Sequence, residues 1–162
     1  MDIAVIAATI GKLVVLCGLS SAAVWDLSKG IIPNSLVLMV AGGGLLFRLA
    51  TAERFAVLES VAIAGLLFLL LRWLMNLGTF GGGDAKLIGA VTLGQSAGAV
   101  LPILANIALM GGIMAVFYGL RSWTRGRTGR GTSALPGGHA EMPYAPAILG
   151  GVVLHEFLEI VT

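Results

Sequence analysis

Val100–Leu120 contains no charged side chain, and Ile3–Val24 contains only Lys12. A helix needs about 20 mainly apolar residues to cross the ~30 Å hydrocarbon core of a bilayer, and both runs meet that length. A water-soluble domain carries roughly 25% charged residues, whereas this chain has 11%, with 57% hydrophobic residues and a mean hydropathy of +0.98. The 162 residues therefore describe an all-α polytopic membrane protein with room for six transmembrane helices and short loops.

The chain divides into Ile3–Val24, a second span that opens at Ile31-Ile32-Pro33-Asn34-Ser35 and runs to Leu49, and a third from Phe55 to Leu74. Ala85–Leu93 is a fourth, too short to match the hydrocarbon by itself; Val100–Leu120 is the fifth, and the sixth follows Pro143 and ends near Val161. Met1-Asp2 lacks the basic region of a signal peptide, so the first run reads as a retained helix. Gly42-Gly43-Gly44 gives the second span a small face for close helix packing. Lys12 reads as a snorkelling or water-facing lysine. Cys17, the only cysteine, is a packing residue, and no Cys-x-x-Cys is present. His139 and His155 lie far apart in this topology, so no metal site is expected. The net charge of +2 implies no nucleic-acid partner.

If the short fourth segment crosses, Lys29, Arg72, Lys86, Arg121, Arg125, Arg127 and Arg130 fall on one side. Arg48 and Arg54 fall on the other. The excess of basic residues marks the first side as cytoplasmic and leaves both termini outside. The polar stretch Arg121–Glu141 then reads as a cytoplasmic loop. In this arrangement Asp26 ends the first span and Asp84 begins the fourth, both at the cytoplasmic face. Apart from Asp2 they are the only aspartates.

Carboxylates at the edge of hydrocarbon are costly and are usually retained for a function. Asp84 follows Gly81-Gly82-Gly83. Glycines permit left-handed or extended backbone and let another backbone approach; a flexible turn whose aspartate caps the next helix is the plainer reading. Two carboxylates held a few ångströms apart cannot both ionise easily. Such a pair can activate water with one member and polarise a peptide carbonyl with the other.

Gly81-Gly82-Gly83-Asp84 fits the Gly-x-Gly-Asp motif of intramembrane aspartyl proteases, and Asp84-Ala85-Lys86 fits its Asp-x-Lys form. With Asp26 before Ile32-Pro33-Asn34, and Pro143-Tyr144-Ala145-Pro146-Ala147-Ile148 ahead of the last helix, the chain resembles the type IV prepilin peptidases. It is similar to the minimal form found with tight-adherence (Flp) pili, since the cytoplasmic insertion with paired Cys-x-x-Cys is missing. The resemblance implies a single membrane-embedded peptidase domain over residues 1–162, at the bacterial cytoplasmic (inner) membrane, that removes the short basic leader of prepilin or pseudopilin substrates. It implies Asp26 and Asp84 as the catalytic pair, with Gly81, Gly83, Lys86, Pro33 and Asn34 shaping the site, and no cofactor or metal. Two other classes remain open on the residues: a small proton-coupled transporter, or a non-catalytic pilus assembly factor that uses the paired aspartates.

Overall fold

The structure is a computed structural model that describes residues 2–76, 81–126 and 143–161. These form six helices: α1 (Ile3–Lys29), α2 (Asn34–Thr51), α3 (Arg54–Asn76), α4 (Gly82–Thr92), α5 (Ala97–Gly126) and α6 (Ala145–Val161). Four of them, α1, α2, α3 and α5, are long and apolar enough to cross a membrane. Much of their apolar surface faces outward: Leu101 is 77% exposed and Leu38 71%. In water such a surface would be a liability; against lipid tails it is the expected exterior.

The boundaries differ from those the sequence suggests where a charged residue ends an apolar run. The first helix does not stop at Val24 but carries Trp25, Asp26 and Lys29 in its last turns. It ends at Gly30, whose φ of 65° makes a left-handed cap and whose N–H donates to the Asp26 carbonyl at 2.8 Å. That angle suits glycine because it has no Cβ. The fifth helix runs past Leu120 to Gly126, so Arg121 and Arg125 lie on it and not in a loop. Charge ends an apolar run, but arginine is a good helix former and breaks nothing. Arg127, Arg130, His139, Glu141 and Gly78–Phe80 lie outside the described residues.

Helix order can be followed through close contacts. Gly11 of α1 meets the backbone of Gly43 and Phe47 on α2, and Gly18 meets Val40, so α1 and α2 are antiparallel. Lys86 reaches Asn34 at one end of α4 while Gly94, just past its other end, touches Gly44, so α2 and α4 run parallel. Gly82 and Gly89 pack on Met75 and Phe68 of α3, and Gly151 of α6 sits on the backbone of Ile107 in α5. Helices in lipid lack a hydrophobic drive to associate, so backbone approach at small residues carries much of the attraction.

α4 is the inner helix. Its eleven residues rise about 16 Å, about half the hydrocarbon thickness, and Ala85 and Leu87–Thr92 are all buried. It is sheltered by its neighbours and need not match the bilayer. Beyond its end, Val91, Gly94, Gln95, Lys12, Phe47 and Glu156 help to line a cavity of about 370 Å3. Lys12, still half-exposed, pairs its ammonium with Glu156 of α6 and stands 5.0 Å from the centre of the Phe47 ring.

Candidate functional site

The candidate site lies at the opposite end, where α1 finishes and α2, α4 and α6 begin. Asp26 is 7% exposed on the last turns of α1. Its Oδ2 accepts a hydrogen bond at 2.9 Å from the backbone N–H of Ala145, the first residue of α6. A helix N-terminus presents unpaired donors and a partial positive charge, so this is a favourable place for a carboxylate.

Asp84 lies in the first turn of α4 and folds back over Gly81; a Cβ on Gly81 would stand 2.8 Å from Asp84 Oδ2. The chain also brings Asp84 near the start of α6. The Tyr144 phenol is raised above its ordinary value of 10.0, first by burial and second by the charge of Asp84. Tyr144 and Ala145 are consecutive, so the two aspartates converge on one stretch of chain.

The remaining residues singled out in the sequence fall at this same end. Lys86 Nζ donates to Asn34 Oδ1 at 3.0 Å, tying the start of α4 to the start of α2. Pro33 caps α2, its carbonyl accepting from Leu36 N–H at 3.1 Å. Gly83 faces Ile32; an added Cβ would lie 3.1 Å from the isoleucine Cβ. Of the left-handed or extended backbone expected of the glycines, Gly81 takes the extended form (φ −70°, ψ 142°), Gly82 and Gly83 are already helical, and Gly30 is the one positive-φ residue among those described. Small size is what the packing uses here.

The sequence reading missed Tyr144 as a site residue, together with the Ala145 amide and Gly111. A Cβ on Gly111 of α5 would stand 2.5 Å from the Tyr144 hydroxyl oxygen, so the ring occupies space that only glycine leaves free. Pro143-Tyr144-Ala145-Pro146 stood out in the sequence, but its order alone does not say which aspartate it meets. Among the described residues no three His, Cys, Asp or Glu side chains gather to hold a metal ion. The 370 Å3 cavity is lined by none of the seven predicted site residues; the aspartates sit at an end of the bundle, close to helix termini.

A family model for the type IV leader peptidase family matches residues 13–116, more than half of the chain. The chain belongs to the type IV leader peptidase family. The matched range contains Asp26, Pro33, Asn34 and Gly81–Lys86, and stops before Tyr144. No curated protein and no solved structure matches the chain. For a type IV leader peptidase, membership implies peptidase activity of the prepilin-leader type and prepilins as the general class of substrate.

Proposed function

We propose that this peptidase is a membrane aspartyl endopeptidase that removes the short basic leader of Flp-type prepilin-like proteins at the cytoplasmic face of the bacterial inner membrane. Residues 1–162 form one catalytic domain on this reading, crossing six times, with the short α4 as the fourth crossing. The observation that carries it is the meeting of Asp26 with the start of α6: Ala145 N–H holds Asp26 at 2.9 Å, and the adjacent Tyr144 phenol is raised by burial and, second, by the charge of Asp84.

The chemistry follows from two carboxyl groups sharing a proton. One takes a proton from water as the water oxygen adds to the scissile carbonyl carbon. The other donates to the carbonyl oxygen; the C–N bond then breaks and the amine leaves with a proton. Lys86, Asn34, Pro33, Gly81 and Gly83 shape the approach. A prepilin leader precedes an apolar helix, so its scissile bond would sit at the depth of the membrane interface, where both aspartates lie.

The test is cleavage of an Flp-type prepilin by purified protein. Asp26→Asn and Asp84→Asn should each lose roughly 10²- to 10⁴-fold in rate while remaining folded, and the wild type should give a bell-shaped pH profile. Near wild-type processing by either variant rejects the aspartyl mechanism.

A further inference from the structure

We propose that Tyr144 is a positioning residue for Asp26: its ring, seated in the notch at Gly111 on α5, sets where the Ala145 amide meets the carboxylate. The proposal rests on the aspartyl-protease reading above.

Counting donors at the start of α6 singles out that amide. The first four N–H groups of a helix have no partner within it. Here Pro146 has none to give. Ala147 and Ile148 donate to the Tyr144 carbonyl at 3.0 and 3.2 Å. Ala145 alone of the four donates outside its own turn, and it donates to Asp26 Oδ2. The two bonds onto its carbonyl also fix the Tyr144 backbone to the first turn, so ring and amide move together.

The ring has a defined seat. An added Cβ at Gly111 would meet the tyrosine Oη at 2.5 Å and two ring carbons at 2.6 and 2.8 Å. A Cβ added at the neighbouring Gly112 would meet nothing within 4 Å beyond its own helix. α5 therefore holds the phenol at one position, the phenol holds the start of α6, and the α6 amide orients a carboxylate carried by α1. A misplacement of about 1 Å at a reacting group can cost on the order of 10²-fold in rate, which makes such a brace consequential.

The experiment measures kcat and KM for prepilin cleavage by the full chain in vesicles. Tyr144→Ala empties the notch and should lower kcat roughly 10- to 100-fold, the worth of one hydrogen bond to a charged group, with KM unchanged. Tyr144→Phe keeps the ring and should restore kcat. Gly111→Ala should displace the ring and lower kcat alone, yet cost nothing further in the Tyr144→Ala background, where no ring remains to be moved. Gly112→Ala should match wild type. Wild-type kcat in Tyr144→Ala, additive losses in the double variant, or a Tyr144→Phe as slow as Tyr144→Ala would each overturn the proposal, the last because the hydroxyl would then be acting. Should Tyr144→Ala not fold, Gly111→Ala with full kcat overturns it alone. If Asp26→Asn or Asp84→Asn still cleaves, the aspartyl reading falls and this proposal falls with it. If both are inactive while Tyr144→Ala is wild type, only the positioning role is lost.

Discussion

A hydrogen in place of a methyl group decides several contacts at the site. Gly83 is helical, so alanine suits its backbone angles, but the new Cβ would stand 3.1 Å from Ile32 Cβ. Overpacking of this kind costs about 1–3 kcal/mol. Gly83→Val should therefore reduce leader cleavage at least about tenfold in protein that still inserts, and Ile32→Ala should recover part of it. Full activity in Gly83→Val would make the contact irrelevant. Tyr144 supplies a second test at this scale. Its folded pKa lies above 10.0, so the stability it contributes is complete below pH 10 and is lost as pH rises through the raised folded value. Phenolate absorbance, taken as wild type minus Tyr144→Phe, should give a midpoint above 10. In Asp84→Asn the midpoint should fall but stay above 10, because burial is the larger cause. An unchanged midpoint in that variant would separate the phenol from Asp84. The aspartates were legible in the sequence because lone carboxylates between apolar runs stand out. The Ala145 amide was not, since every residue but proline carries a backbone N–H and only the fold selects one.

At the scale of the helix, Gly42-Gly43-Gly44 illustrates what a sequence motif leaves undetermined. In the sequence it reads as one packing face, but the structure divides it. A Cβ added at Gly43 would stand 2.9 Å from the Gly11 carbonyl oxygen of α1, one at Gly44 would stand 3.0 Å from the backbone of Gly94 just beyond α4, and one at Gly42 would meet nothing within 4 Å. Alanine at 43 or 44 should destabilise the bundle by about 1–3 kcal/mol. At 42 it should be neutral or stabilising by up to ~1 kcal/mol, since glycine is a poor helix former. Thermal unfolding in detergent measures all three, and equal effects would contradict the contacts. The short fourth helix was legible from its length, though not its start at Gly82: glycines read as loop when their neighbours are unknown. Nor could periodicity show that Lys12 pairs with Glu156, because the two are 144 residues apart.

For the whole molecule, the alternation of contacts places Asp26, Asn34, Gly82 and Ala145 at one end and Arg48, Ser60 and Gln95 at the other. There Arg48 Nε donates to Ser60 Oγ at 2.8 Å, and the serine hydroxyl reaches the Gln95 carbonyl at 2.9 Å. The orientation of the bundle can be tested by cysteine labelling in a Cys17→Ser background. A membrane-impermeant thiol reagent added outside cells should modify Thr51→Cys and spare Ser28→Cys. The reverse result would put the aspartates on the wrong side. The expected orientation rests on the charge bias in the sequence, while the proposed brace from α5 through Tyr144 to α1 joins residues whose neighbourhood exists only after folding.

The bond from Ala145 to Asp26 spans 119 residues, so its donor is made long after the helix that carries its acceptor. α4 meanwhile is not among the helices long and apolar enough to cross a membrane, and needs the segments around it before it can settle. During synthesis, then, Asp26 enters the membrane long before the Ala145 amide exists. On the proposed reading a chain that stops short of α6 is inert, and proteolytic competence arrives only once that helix has joined the bundle.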